Sequence, residues 1–210
     1  MEYIFSVVIG YLLGSIPTAF LVLKISKGID ITNAGSGNVG AMNSYEITNS
    51  KYIGLLVFLI DFIKGFLAVL ITKLIFNDVF IYPALALLFA VFSHCFNPWI
   101  KFNGGRGLAT AAGGSILIFP YLLFVWIVLW ILMYIIKRDI LIANIIATIF
   151  SLLIIYLTEN IALNYVYPVP VAASELMLFS TGGLLIIFIK HIEPLKEIIS
   201  NKQRNKNDIT

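Results

Sequence analysis

The chain has 210 residues, of which 60% are hydrophobic and 12% are charged, and its mean hydropathy is +0.98. A soluble domain carries about 25% charged residues, so this composition excludes one and predicts an integral membrane protein. The net charge of +3 gives no reason to expect a nucleic-acid partner, and the single cysteine, Cys95, excludes an internal disulfide and a cysteine-rich metal site.

Apolar runs predict an all-α, polytopic membrane protein with about seven transmembrane helices in one domain, residues 1–198. The first run, residues 3–23, is long enough to span a membrane and lacks the basic start of a cleavable signal peptide. It is interrupted by Gly14-Ser15-Ile16-Pro17, which indicates either a simple proline kink or a functional opening inside the bilayer. The further spans are expected at residues 54–76, 79–96, a short span from 108 to a turn at 120, then 121–136, 140–157 and 175–189. Residues 199–210 are predicted to be a basic, disordered tail.

Lysine and arginine are distributed unevenly between the two sides that seven spans define. The loops after spans one, three and five, together with the C-terminus, hold 12 of the 14 Lys and Arg residues. Because basic loops stay in the cytoplasm, we expect the N-terminus outside and the C-terminus in the cytoplasm. Two glycine-rich loops then lie on the cytoplasmic face.

The first of these polar segments, residues 34–43, contains three glycines, a serine and two asparagines. Closely spaced glycines free the backbone, so that successive N–H groups can converge on one point. Such a nest binds anions, and the serine and asparagine side chains offer further donors. The alternative is a flexible loop that only joins two helices. The candidate binding residues are Gly35, Ser36, Gly37, Asn38, Gly40 and Asn43.

A second polar segment, residues 94–110, begins with His94 and contains Asn103-Gly104-Gly105-Arg106-Gly107. Arg106 supplies a fixed positive charge beside glycines that allow a ligand to approach the backbone. A third polar cluster, Lys190-His191-Ile192-Glu193, follows the last span. Each histidine is interpreted either as a hydrogen-bonded structural residue or as a site residue.

Two charged residues, Asp61 and Lys64, lie within the second span, three residues apart and therefore on one helix face. Charges at that depth are costly and mark either a site or a buried ion pair. Neither a Ser/His/Asp triad nor a Walker loop is found in the sequence. The polar segments together indicate an anion-binding cytoplasmic pocket bordered by lipid-accessible helices.

Several motifs resemble those of bacterial acyl-phosphate:glycerol-3-phosphate acyltransferases, in the same order and over nearly the whole chain. They are Gly14-Ser15-Ile16-Pro17, Gly35-Ser36-Gly37-Asn38-Val39-Gly40-Ala41, Asp61-x-x-Lys64-Gly65 and Phe102-x-Gly104-Gly105-Arg106-Gly107-x-Ala109-Thr110. The resemblance implies transfer of an acyl group from acyl phosphate to the sn-1 hydroxyl of glycerol 3-phosphate. The product would be lysophosphatidic acid, in phospholipid synthesis at a bacterial inner membrane. The implied partners are the two substrates and membrane lipid, with no cofactor and no metal.

The resemblance also implies roles for single residues. It assigns catalysis to Ser36, Arg106 and His191. It assigns binding of substrate phosphate to Gly35, Gly37, Asn38, Gly40, Asn43, His94, Gly104, Gly105 and Gly107, with Asp61 and Lys64 in support.

Five positions depart from the family pattern. They are Thr32 and Glu46, each in place of an arginine, Met42 in place of a threonine, Leu141 within a run that is usually polar, and Pro194 in place of an asparagine. Glu46 reverses the charge where the family arginine is expected to hold the acceptor phosphate. Because a fold alone does not fix a function, two alternatives remain open. Glu46 favours an acyltransferase of the same fold with a different acceptor, whereas Pro194 and Leu141 favour an inactive membrane relative.

Overall fold

The computed structural model describes residues 1–76 and 79–207, with the backbone alone given at residues 197–199 and 201–207. This part of the chain contains ten α-helices, three short 3-10 turns and no strand, so the all-α prediction is confirmed. The helices are α1 (Glu2–Gly14), α2 (Thr18–Lys27), α3 (Ala41–Thr48), α4 (Lys51–Ile75), α5 (Ile81–Cys95), α6 (Leu108–Ile118), α7 (Pro120–Lys137), α8 (Ile140–Leu157), α9 (Glu159–Ala162) and α10 (Ala173–Asn207). The 3-10 turns are Ile31–Asn33, Pro98–Ile100 and Leu163–Tyr165.

Six helical segments of the described residues are long and apolar enough to cross a membrane. They are Glu2–Lys27, Lys51–Ile75, Ile81–Ile100, Pro120–Lys137, Ile140–Leu157 and Ala173–Lys196. The protein is therefore a multi-pass membrane protein.

The remaining predicted span corresponds to α6, which has 11 residues and is about 16 Å long at 1.5 Å per residue. That length is well short of the roughly 30 Å hydrocarbon core. Its last turn nevertheless reaches the end of α4 farthest from the polar loop of residues 28–50. There Lys73 Nζ donates to Leu117 O at 3.4 Å, and Tyr167 N donates to Ile118 O at 3.0 Å. Six of the seven predicted spans are therefore long enough to cross the membrane. The seventh, α6, is a short helix that follows the second glycine-rich loop.

The predicted interruption of the first span is confirmed, because α1 ends at Gly14 and α2 begins at Thr18. The carbonyl groups freed by the break are satisfied by side chains from other elements. Asn97 Nδ2 donates to Ser15 O at 2.7 Å, and Lys64 Nζ donates to Ile16 O at 3.1 Å. Since an unsatisfied carbonyl in hydrocarbon costs several kcal/mol, these two residues fix the geometry of the break. The break is therefore an anchored opening and not a simple proline kink.

Helices α1, α4, α5 and α6 approach closely where glycine removes the side chain. A Cβ atom on Gly14 of α1 would overlap Ala90 O of α5, and one on Gly65 of α4 would overlap Thr110 O of α6. Membrane helices associate through such contacts between small residues. The four helices therefore form the tight part of the bundle, and α7 lies outside it, with only Leu122 and Val125 buried.

The last helix is longer than predicted. The span expected at residues 175–189 lies in α10, whose apolar part continues to Lys196 and whose backbone is helical to Asn207. The disorder expected for residues 199–210 stays a prediction, because the side chains from residue 201 and all of residues 208–210 lie outside the described part.

Candidate functional site

The two glycine-rich segments meet at the end of α5. Val39 N donates to Gly104 O at 3.2 Å, and Gly105 N donates to His94 O at 3.2 Å. The backbone of the second segment is thereby connected both to the first segment and to the last turn of α5.

The first segment is closed by the side chain of Asn43, which is buried. Its Nδ2 donates to Ala34 O at 3.1 Å and to Asn38 O at 2.9 Å. Its Oδ1 accepts from Ser36 N at 3.1 Å. Both amide hydrogens of Asn43 are therefore used within the loop. Asn43 thereby sets the shape of the loop, and its expected role as a donor to phosphate stays a prediction.

Several backbone amides of the expected nest are also bonded within the protein. Gly37 N donates to Ala34 O at 3.0 Å, and Gly40 N donates to Asn38 O at 3.1 Å. With Ser36 N bound to Asn43 and Val39 N bound to Gly104, four of the amides are satisfied inside the protein. Gly35 and Gly37, with φ of +58° and +68°, provide the left-handed backbone that this closed loop requires.

The N-terminus of α3 is a candidate position for an anion beside this closed loop. Gly40 is its N-cap, in an extended conformation, and no side chain caps the helix. Gly40, Ala41 and Met42 all line one cavity of the described structure. The first N–H groups of a helix are orphan donors at the positive end of its dipole, an arrangement that favours a phosphate group.

A buried cluster of charged and polar side chains lies beside this helix end. Lys64 Nζ is 2.8 Å from Asp61 Oδ1 and 2.7 Å from His94 Nδ1. All three residues are buried, and Asp61 and His94 line the cavity. The two interpretations of Asp61 and Lys64 are therefore compatible, since they form a buried pair that also borders the site.

Arg106 stands at the polar end of the same cavity, half-buried and just before the helix that forms one wall. Gly107, with φ of +82°, is the N-cap of α6. A Cβ atom there would lie 2.8 Å from Cys95 Sγ, so only glycine lets the loop enter α6 at this depth.

His191 is buried, and it does not belong to the described cavity wall. Its Nδ1 is 2.7 Å from Ile187 O, one turn earlier in α10. Within the described residues, its Nε2 has no hydrogen-bond partner. The His191 ring therefore bonds back to its own helix. One turn earlier, Ile187 of α10 lines the cavity.

The cavity has a volume of about 440 Å³, within the usual range for small-molecule sites. Its polar end is formed by Asn38, Asp61, His94 and Arg106. Its other walls are mainly apolar side chains of α6, α7, α8 and α10. They include Leu108, Ala111, Ala112, Leu122, Leu123, Trp126, Ile127, Trp130, Ile140, Leu184 and Ile187.

Two indole groups on the apolar wall are held by side chains of α8. Trp130 Nε1 donates to Asn144 Oδ1 at 2.7 Å, and Trp126 Nε1 donates to Thr148 Oγ1 at 3.2 Å. Sequence reasoning missed this wall, because Trp126 and Trp130 belong to an apolar run whose inward face has no polar signature. The pairing of each tryptophan with a polar residue on the next helix is visible only in three dimensions.

Within residues 1–76 and 79–207, no three His, Cys, Asp or Glu side chains are grouped in a way that could hold a metal ion. Asp30, in the first polar loop, has a local structural role instead. Thr32 Oγ1 and Thr32 N donate to Asp30 Oδ1 at 2.7 and 3.0 Å, and these bonds hold the pKa of the Asp30 carboxyl below its usual value.

Known proteins are similar to this chain over most of its length. The family described as "Glycerol-3-phosphate acyltransferase" matches residues 4–201. A glycerol-3-phosphate acyltransferase of Aquifex aeolicus is 34% identical over 210 residues, with 97% of this chain and 98% of that protein covered. One of Ehrlichia canis is 32% identical over 93% of this chain and 94% of its own. The chain belongs to the glycerol-3-phosphate acyltransferase family.

Solved structures of a relative show the same fold. PlsY (YgiH), an integral membrane glycerol 3-phosphate acyltransferase, matches in its glycerol 3-phosphate form with a TM-score of 0.78 and 30% identity. That match covers 96% of this chain and 94% of the other. Its lysophosphatidic acid form matches with a TM-score of 0.77 and 29% identity, over 96% and 93% of the two chains.

Of the five departures from the glycerol-3-phosphate acyltransferase pattern, Met42 lines the cavity. Glu46 is exposed on α3, one turn beyond Met42, which lines the cavity. Leu141 lies in the first turn of α8 beside Ile140, a wall residue. Pro194 lies within α10. In this member of the family, an acidic side chain is therefore exposed on α3 one turn beyond a cavity-wall residue.

Proposed function

We propose that this chain transfers an acyl group from acyl phosphate to the sn-1 hydroxyl of glycerol 3-phosphate and releases lysophosphatidic acid. The observation that carries the proposal is a single cavity with a cationic, donor-rich end and an apolar end. The polar end suits phosphate, and the apolar end between α6, α7, α8 and α10 suits an acyl chain. The solved relatives in glycerol 3-phosphate and lysophosphatidic acid forms support the choice of acceptor and product.

The reaction needs little chemistry from side chains, because an acyl phosphate is already activated. The acceptor hydroxyl oxygen bonds to the carbonyl carbon, and the bond from that carbon to the phosphate oxygen breaks. Arg106 and the N-terminus of α3 stabilise the charge on the departing phosphate. Positioning of the hydroxyl about 3–3.5 Å from the carbonyl carbon supplies much of the rate.

The hydroxyl proton passes to an oxygen of the departing phosphate. His191 was the other candidate acceptor, but its side chain is turned along α10 and is not part of the described cavity wall. Ser36 is exposed on the loop, where its hydroxyl is placed to donate to substrate phosphate outside the enclosed part of the cavity. Gly104 and Gly105 have no side chains to bind substrate. Their backbone, fixed by the bond from Gly105 N to His94 O, positions Arg106.

The site faces the cytoplasm, and the N-terminus lies outside a bacterial inner membrane. The distribution of Lys and Arg between the loops supports this orientation. Cysteines introduced at the exposed positions Ser36 and Lys101 should be labelled by a membrane-impermeant reagent only from the cytoplasmic side, and one at Tyr165 only from outside. The native Cys95 is buried and gives little background. Labelling of position 36 from outside intact cells would reverse the orientation.

A second candidate function is acyl transfer to a different acceptor, which Glu46, exposed one turn beyond a cavity-wall residue, favours. Purified protein should be supplied with acyl phosphate and either glycerol 3-phosphate or glycerol, which has the hydroxyl but no phosphate. The proposed function predicts rapid ester formation with glycerol 3-phosphate only. Preference for glycerol would favour the second candidate, and failure to esterify either would favour an inactive relative.

A further inference from the structure

The ammonium group of Lys64 has three polar contacts, two of them hydrogen bonds and the third an ion pair with Asp61. It lies 3.1 Å from Ile16 O, 2.8 Å from Asp61 Oδ1 and 2.7 Å from His94 Nδ1. The side chain is 3% exposed. Lys64 therefore joins the break between α1 and α2, its own helix α4 and the last turn of α5.

These contacts determine which ring nitrogen of His94 carries hydrogen. A lysine ammonium only donates, so Nδ1, at 2.7 Å, must accept. Asp61 offers Nδ1 no alternative, since its Oδ1 is 3.7 Å away, too far for a hydrogen bond. A neutral Lys64 amine would leave the buried Asp61 carboxylate without its cation, which is costly. The hydrogen of the neutral imidazole is therefore on Nε2.

The Nε2 atom of His94 faces the glycine loop that carries Arg106. A Cβ atom on Gly105 would overlap Nε2, so the imidazole packs directly on the backbone of this loop, which only a glycine permits. His94 and Arg106 line the same polar end of the cavity. An N–H group at that place points to a negatively charged ligand.

We propose that Lys64 is a positioning residue that holds His94 as its Nε2–H tautomer, so that His94 donates a hydrogen bond to a phosphate oxygen at the polar end of the cavity. His94 is then a donor and not a base. The tautomer follows from the buried contacts alone, and only the identity of the anion rests on the proposed function.

The second histidine provides an internal reference of opposite tautomer. His191 Nδ1 lies 2.7 Å from Ile187 O, and a carbonyl oxygen only accepts, so His191 carries its hydrogen on Nδ1. The chain has only these two histidines. Histidine-selective ¹⁵N labelling of the full-length protein in detergent micelles therefore gives two imidazole spin systems, which a His191→Gln variant assigns.

The first measurement uses the protein without substrate. His94 should show a protonated Nε2 and an unprotonated Nδ1, and His191 the reverse. The reverse pattern at His94, or a doubly protonated ring at neutral pH, would overturn the assignment whether or not the protein is an acyltransferase.

The second measurement tests the role of Lys64. The double variant Lys64→Met, Asp61→Asn removes both members of the buried ion pair, so that neither charge is left without its partner. In this variant the ¹⁵N signals of His94 should no longer show hydrogen on Nε2 alone. The matched variant Lys73→Met, on the same helix but at its far end, should leave both histidine patterns unchanged. An unaltered His94 in the double variant would show that Lys64 does not select the tautomer. If the double variant does not fold, the substrate-free measurement on the wild-type protein still decides the assignment.

The third measurement tests the ligand. Inorganic phosphate, glycerol 3-phosphate and uncharged glycerol should be added in turn to the labelled protein. A shift of the His94 Nε2–H signal with inorganic phosphate places the leaving phosphate there, and a shift with glycerol 3-phosphate alone places the acceptor there. Equal shifts with glycerol, or none with any of them, would contradict the donor role while leaving the proposed acyl transfer to be judged by its own assay.

Discussion

Replacing Gly105 by alanine perturbs the point where the glycine loop rests on His94. The added methyl group would overlap His94 Nε2 and would lie 2.8 Å from Val39 O, whereas ordinary contacts begin at 3.4 Å. The loop would have to withdraw by roughly 0.6 Å from Val39 and by more from the imidazole, because protein interiors contain few voids that absorb such a change.

The size of the effect follows from these contacts. Overpacking by one methyl group costs about 1–3 kcal/mol of stability. Withdrawal of the loop also stretches the bond from Gly105 N to His94 O, now 3.2 Å, and carries Arg106 with it. Since misplacement of a site by about 1 Å can cost about 100-fold in rate, we expect kcat of Gly105→Ala to fall by roughly 10- to 100-fold.

The assay is steady-state transfer from acyl phosphate to glycerol 3-phosphate, with rates corrected for the folded fraction from a thermal melt. Gly183→Ala is the matched control, because no atom lies within 4 Å of the added Cβ. Its kcat should stay within about twofold of wild type, since surface changes rarely exceed about 0.5 kcal/mol. If Gly105→Ala keeps both its melting temperature and its kcat, the packing of the loop on His94 is not what positions Arg106.

Three further changes test other parts of the site. Asn43→Asp replaces two buried donors by a carboxylate facing two carbonyl groups, at about 1–3 kcal/mol per unsatisfied group; it should lower both the melting temperature and activity, whereas Asn160→Asp, at an exposed position in the first turn of α9, should lower neither. Glu46→Arg should lower the KM for glycerol 3-phosphate several-fold at low salt, and the gain should shrink as salt rises; an unchanged KM would mean that position 46 does not sense the acceptor. Ala112→Phe fills the apolar wall and should shift preference toward shorter acyl phosphates, while Ile116→Phe, one turn along α6 and exposed, should not; equal behaviour of the two variants would place the acyl chain elsewhere.

Residues with strong local constraints were predicted well from the sequence. Gly14 and Pro17 marked the helix break, and the apolar runs gave the order of the spans. The glycine-rich segments predicted a candidate site between apolar helices, and the two segments meet in the structure.

The features that the sequence did not predict depend on particular hydrogen bonds and packing contacts of the folded chain. Asn43 bonds to Ala34 and Asn38, nine and five residues earlier in the chain, and these bonds close the loop in which a nest was predicted. The direction of the His191 side chain depends on its bond to Ile187 O. The length of α6 depends on Gly107, which starts the helix against Cys95 in the interior of the bundle.

The central claim is direct transfer of the acyl carbon from phosphate to the sn-1 hydroxyl, and isotope tracing tests it most directly. Purified protein should be given acyl phosphate and glycerol 3-phosphate labelled with ¹⁸O in the sn-1 hydroxyl, and the products measured by mass spectrometry. The account predicts that all of the label appears in the ester of lysophosphatidic acid and none in the released phosphate. If the enzyme instead transferred the phosphoryl group, the label would lie between the sn-1 carbon and phosphorus, and free fatty acid would be released. That result would contradict direct acyl transfer.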